Sequence, residues 1–250
     1  MKMKNSKKSS SQEILKKRKT ESARFFEIDF LRGIAVLMMV VFHFFWDTNF
    51  FGLTNYSLYT GFFGIFQKLT AGAFLLLAGV SLSISYGRNK VGFEKKFLFR
   101  ALKIFGFGAV LTLFSLAFFP SEPIFFGVLH LIGFSIFLSV FFVKKKYLNL
   151  ILGLLIIFLP AIFNLQSIQL NYLFWVGLGK SVPALDFFPI VPWFGAVLLG
   201  LFFGNAFYRG TKPKIVLQKP DSKTLDLVCF LGRNSLLIYF AHQPVLFSLV

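Results

Sequence analysis

Long apolar runs alternate with short polar blocks along most of the chain. Seven of these runs are long enough to read as membrane-spanning helices: Ile28 to Trp46, Phe62 to Tyr86, Phe97 to Phe119, Ile124 to Val143, Tyr147 to Phe163, Phe187 to Phe207 and Asp226 to Val250. The fifth is near the minimum crossing length. The segment Asn171 to Lys180 is too short to cross and carries Tyr and Trp, which suits a helix at the membrane surface. The pattern predicts an all-α, polytopic transmembrane bundle of about seven spans over residues 25–250, preceded by a Lys/Ser-rich basic arm, residues 1–24, with no packed core of its own.

Composition agrees with that division. Of 250 residues, 56% are hydrophobic and only 15% charged, against about 25% charged in soluble domains. Mean hydropathy is +0.72. The net charge of +17 does not signal nucleic acid, because Lys and Arg gather at the ends of spans. Nine precede the first span, four lie in GRNKVGFEKK, three at 144–146 and five in YRGTKPKIVLQKPDSKT, whereas the alternate connections hold only Lys180. The positive-inside rule then puts the N-terminus in the cytoplasm and the C-terminus outside. One cysteine, Cys229, excludes an internal disulfide and any Cys-based metal site. Three scattered His and no His-x-x-x-His pair argue against zinc, so no metal is expected.

Ionisable groups within apolar runs are costly and tend to mark substrate or proton paths. Counted at about 1.5 Å per helical residue, His43 lies roughly 22 Å and His242 roughly 24 Å from the cytoplasmic side, and His130 about 9 Å below the opposite surface. All three fall in the outer half, with Asp47, Glu122 and Asp186 at the external ends. Asp47, four residues after His43, shares its helix face and is expected to orient the imidazole. The bland alternative is a structural hydrogen bond at the interface. For His130 it is a bond to a neighbouring helix, and for His242 a cap on backbone freed by Pro244. At the other face lie Asp29 and Arg32, spaced i,i+3, with Arg100, Lys103, Asp226 and Arg233. The Ser81, Ser83, Ser85 stripe and Gly72 and Gly79 read as close helix packing. The prolines and Trp193 of DFFPIVPWFG suit an irregular helix start lining a cavity.

Five segments in order, RFFEIDFLRGIAVLMMVVFHFFWD, FLLLAGVSLSISYGR, FFGVLHLIGFSIFLS, DFFPIVPWFGAVLLG and LGRNSLLIYFAHQPVL, carry a family resemblance. Together the chain resembles the heparan-α-glucosaminide N-acetyltransferase catalytic-domain family, in its small prokaryotic branch. The resemblance implies a multi-pass cell-membrane acyltransferase that takes acetyl or another acyl group from cytosolic acetyl-CoA and delivers it to an amine or hydroxyl of a sugar or glycoconjugate across the membrane. Arg32, Arg100, Lys103 and Arg233 are then candidates for the CoA phosphates. His43 is the candidate general base, oriented by Asp47, with His242 and His130 assisting, and Asp186, Trp193 and Gln243 are candidates on the acceptor side. The sequence departs from the family at one point. The lysosomal enzyme's catalytic histidine lies in the external loop after the first span, and the corresponding TNFFGLTNYSLYTG has none. The expected partners are the bilayer and the acceptor, with a homodimer left open. The rival class is a transporter or flippase for an anionic or lipid-linked substrate, with His and Arg as proton relay and anion contact. A family member acting only as a membrane partner is a third reading.

Overall fold

The structure, a computed structural model, describes residues 24–163, 165, 168, 170–178, 184–209, 212–214 and 217–250. The basic arm up to residue 23 and Lys180 lie outside the described residues. Eight α-helices are described: α1 (Phe26–Phe50), α2 (Gly61–Arg88), α3 (Phe93–Phe118), α4 (Val128–Phe142), α5 (Lys146–Ile162), α6 (Ile190–Phe207), α7 (Lys223–Arg233) and α8 (Ser235–Leu249). A short 3-10 helix covers Asn171–Val176, the stretch read above as interfacial. The other regular element is a two-residue antiparallel pairing of Tyr208–Arg209 with Lys212–Pro213 after α6.

The chain is all-α in architecture, but seven full-length spans are not what it displays. Four helices, α1, α2, α3 and α6, are long and apolar enough to cross a membrane, and a fifth crossing arises if α7 and α8 count as one bent span. Helices α4 and α5 have 15 and 17 residues, or about 22 and 25 Å against a hydrocarbon core of about 30 Å. Three expected boundaries shift for local reasons. Helix α4 begins at Val128 rather than Ile124 because Gly127 is extended. Helix α6 begins at Ile190 rather than Phe187 because Pro189 holds an extended conformation, and Val191 before Pro192 is non-helical. The expected seventh span is broken by 87° between Arg233 and Ser235.

Helix α2 packs along α6, which in turn packs on α5, while α3 pairs with α4 and α1 with α2, α7 and α8. Between them lies a core of Leu75, Leu82, Leu131, Ile136, Val197, Leu198 and Leu201, closed by Phe93 and Phe97. Many other Phe side chains, Phe62, Phe99, Phe114 and Phe141 among them, stay exposed on the outer surface. In hydrocarbon, helix association rests on close packing and internal hydrogen bonds, since burying apolar surface gains little there. Both are present. A Cβ on Gly79 would stand 2.1 Å from the Val197 carbonyl oxygen, and one on Gly200 would stand 2.1 Å from that of Leu76, so α2 and α6 touch backbone to backbone. Gly72 has open space instead, and packs as a stripe member with nothing. Past the end of α4, Asn149 and Asn205 side chains donate to the carbonyls of Phe142 and Val143, and Ser83 donates to Asn205.

Gly200→Ala is expected to destabilise the protein by about 1–3 kcal/mol, because the new methyl meets backbone that cannot move aside. Gly72→Ala is the matched control, expected neutral or slightly stabilising as glycine is a poor helix former. Thermal unfolding in detergent reads both.

Candidate functional site

Helix α8 runs beside α1 in the same direction. His43 meets His242, Asp47 meets Gln243, and Phe51, just past α1, meets Phe247. The approach is set near the elbow, where a Cβ on Gly232 would lie 1.8 Å from the Asp29 carbonyl oxygen and one on Gly33 would lie 2.0 Å from that of Val228. From that contact α1 continues ten residues to His43, while the other chain turns through the elbow into α8, whose eighth residue, His242, brings the imidazoles together. Their ring centroids are 4.6 Å apart in a T-shaped arrangement.

Hydrogen bonds fix the tautomers. His43 Nδ1 lies 2.9 Å from the Met39 carbonyl oxygen and His242 Nδ1 lies 2.6 Å from that of Tyr239. A carbonyl only accepts, so in each neutral ring Nδ1 carries the proton and Nε2 keeps a basic lone pair. His242 is buried, and its Nε2 has no partner among the described residues. Asp47, fully buried, uses Oδ1 to accept from Gln243 Nε2 at 3.2 Å, leaving Asp47 Oδ2 and Gln243 Oε1 without partners among the described residues. The carboxylate expected to orient His43 therefore bonds Gln243 instead. The backbone carbonyl one turn back is already within reach of the imidazole and takes that task. Tyr239, which the sequence reading did not single out, is 5.6 Å from His242 ring to ring and close enough to Asp186 for that charge to act on it. Its i,i+3 spacing to His242 was the available signal.

The third histidine is in a different environment. His130 Nδ1 accepts from the Gly127 N–H at 3.2 Å, so its proton sits on Nε2, which faces Thr112 Oγ1 at 3.4 Å, and Thr112 donates to the Ile124 carbonyl. Phe105 packs edge-on against the ring and Phe126 stacks near it. Every nitrogen is engaged, in the tautomer opposite to the other two. Asp186 caps the same helix, accepting from the Val128 N–H at 2.9 Å, where a carboxylate complements the helix dipole. Trp193 packs on Phe188 at the edge of the core. The structure thus joins His43, Asp47, His242 and Gln243, and gathers His130, Asp186 and Trp193 around α4 and the start of α6.

The cations divide as well. Arg32 is half-buried, pairs with Asp29 at 3.5 Å and donates to Ser81 at 2.7 Å. Charges of Arg24, Arg32 and Arg233 all act on Asp29, and those of Arg32 and Arg100 act on one another. Lys103 is exposed and lies over the Phe107 ring at 5.9 Å. Asp226 pairs with Lys219. No three side chains of His, Cys, Asp or Glu come together as a metal site among the described residues.

A model of the family described as heparan-alpha-glucosaminide N-acetyltransferase, catalytic, matches residues 24–244. The chain belongs to this family. No curated protein and no solved structure matches it. Membership in the heparan-α-glucosaminide N-acetyltransferase family, together with the long apolar helices, makes this a membrane protein of the acetyltransferase type.

Two predictions concern the corner around α4. Burial raises the Asp186 carboxyl from the ordinary 3.8 to about 6, against the pull of the Val128 N–H. A raised pKa in the folded state means that the group's contribution to stability is present below about pH 4 and lost as pH rises through about 6. Asp186→Asn cannot ionise, so its unfolding temperature relative to wild type should rise between about pH 4 and 6 and level off above that. His130→Ala removes the acceptor for Gly127 and is expected to cost about 1–2 kcal/mol, measured by the same unfolding assay at pH 7.

Proposed function

We propose that the protein transfers an acetyl or other acyl group from cytosolic acyl-CoA to an amine or hydroxyl of an extracytoplasmic sugar or glycoconjugate, with the chemistry at the His43–His242 pair. The observation that carries this reading is the cluster of buried polar atoms without partners among the described residues, Asp47 Oδ2, His242 Nε2 and Gln243 Oε1, beside a second imidazole. Unsatisfied buried groups cost about 1–3 kcal/mol each, and several together mark a place where a polar ligand completes the bonding.

An acceptor amine reaches the thioester carbonyl only after losing a proton. His242 Nε2, or His43 Nε2 beside it, takes that proton as the nitrogen attacks the carbonyl carbon. Collapse of the tetrahedral adduct expels the CoA thiolate, which takes up a proton, and the acceptor leaves as the amide or ester. Asp47 and Gln243 offer a carboxylate and an amide oxygen to the donor groups of a sugar. Asp186 and Tyr239 flank the acceptor side, and Trp193 and His130 support that wall. On the donor side Arg32, Arg100 and Arg233 supply charge for the CoA phosphates, while Lys103, turned along Phe107, stands apart from that set. In this reading the N-terminus is cytoplasmic, α4 and α5 cross as short spans to complete seven, and the protein resides in the cell membrane. The acceptor and the bilayer are its partners.

The assay is acetyl transfer from acetyl-CoA to amino sugars in proteoliposomes. His242→Ala and His43→Ala are expected to lower kcat by about 10²–10⁴, the usual worth of a general base, with CoA thioesters still stabilising both variants. Transfer at wild-type rates by both variants would remove the site assignment. Substrate movement across the bilayer with no dependence on a CoA thioester would replace the enzyme by a transporter.

A further inference from the structure

Helices α3 and α8 meet through the Phe107 and Phe240 rings, 5.3 Å apart, and beside that contact lies an open apolar depression of about 480 Å³. Phe107 and Val110 line it from α3, and Leu236, Leu237 and Phe240 from α8. His242 lies on the opposite side of α8 from Leu237 and Phe240, so the depression does not open onto the histidine pair, while Gln243, three residues after Phe240 and seven after Leu236, borders it.

Its two ends differ. On α3, Arg100, Lys103, Phe107 and Val110 follow at intervals of three, four and three, which is one stripe of a helix. Arg100 and Lys103 are exposed, and the Lys103 ammonium lies over the Phe107 ring that lines the depression. On the other wall, exposed Arg233 ends α7 three residues before Leu236. The depression is thus apolar along about one helical turn of each wall and cationic at one end. Hydrocarbon is the only solvent that reaches an apolar cleft between membrane helices, and a cation at its mouth selects an anionic headgroup.

We propose that this groove holds one acyl chain of an anionic membrane phospholipid, with its phosphate on Lys103. The occupant is distinct from both substrates of the transfer reaction, and the site stands whether or not that reaction is the one argued above. The probes are phosphatidylglycerol and phosphatidylcholine, added to the delipidated full-length protein, with retained lipid counted by native mass spectrometry and unfolding temperature measured alongside. Wild type is expected to retain phosphatidylglycerol in preference to phosphatidylcholine and to unfold at a higher temperature with it. Lys103→Gln should weaken retention about fivefold, the worth of one cation near an anionic surface. Val110→Trp and Leu237→Trp, which fill the groove from exposed positions, should abolish the preference, whereas Ile65→Trp, exposed on α2, should not. Equal retention of the two lipids, or undiminished retention by both groove-filling variants, would reduce the groove to ordinary lipid contact and overturn the proposal. Displacement of phosphatidylglycerol by free CoA in wild type and Val110→Trp alike would assign the cations to a soluble phosphate and overturn it too.

Discussion

The backbone contact between α1 and the elbow before α8 governs the candidate site. Gly33 and Gly232 let two helices approach until a single added methyl on either would overlap a carbonyl oxygen. Such an approach tolerates almost no sliding or rotation. From that contact α1 rises about 15 Å to His43, and α8, which starts at Ser235 beyond the bend and then follows α1, rises about 10 Å to His242. The two imidazoles meet there. Neither imidazole pulls the other into place, because each spends its Nδ1 proton on its own helix. The pair is a consequence of glycine packing elsewhere.

The low-dielectric surroundings then make hydrogen-bond satisfaction a way of sorting roles. A polar atom in hydrocarbon has no water to fall back on. Around His130 every polar atom is matched, from the Gly127 amide through both ring nitrogens to Thr112 and the Ile124 carbonyl. Such a chain rigidifies a helix start and leaves nothing to offer a ligand. Around His242 the matching stops, with three atoms on three adjacent side chains left open. These two histidines thus carry opposite tautomers and opposite degrees of completion, although sequence alone treats them alike.

That contrast marks how far the sequence was legible. The positions of the apolar runs, the all-α class and the family were readable because period and hydropathy survive without tertiary context. Helix ends were less so. The proline-rich start of α6 was legible as irregular, yet the shift from Phe187 to Ile190 depended on how Pro189 and Val191 are held. The elbow at Asn234 was obscured because the apolar pattern continues across it, although Gly232 and Asn234 in LGRNS are a helix-stop signal. Depth counting along a straight seventh span reached His242 by a route the structure does not follow. A shorter α8 joined to α1 some 10 Å above its start reaches the same neighbourhood. Which carboxylate bonds which partner was not legible at all. Asp47 had two chemically reasonable partners, and only the placement of Gln243 on α8 decides between them.

The break at Asn234 links these points to function. Were α7 and α8 one straight helix, the Gly33–Gly232 contact could be kept only by letting the far end of the span diverge or cross α1 at a shallow angle throughout. Bending by 87° frees α7 to lie across the start of α1, where Cys229 reaches the Phe26 carbonyl, while α8 turns to follow α1. The same bend exposes the other face of α8 toward α3. One elbow therefore creates both surfaces of α8, the polar one against α1 with its open hydrogen-bonding positions and the apolar one lining the cleft beside Phe107. Arg32, bonded to Ser81, lies beside the polar surface and Lys103, over Phe107, beside the apolar one, and the two surfaces adjoin at Gln243, which shares the stripe of Leu236 and Phe240.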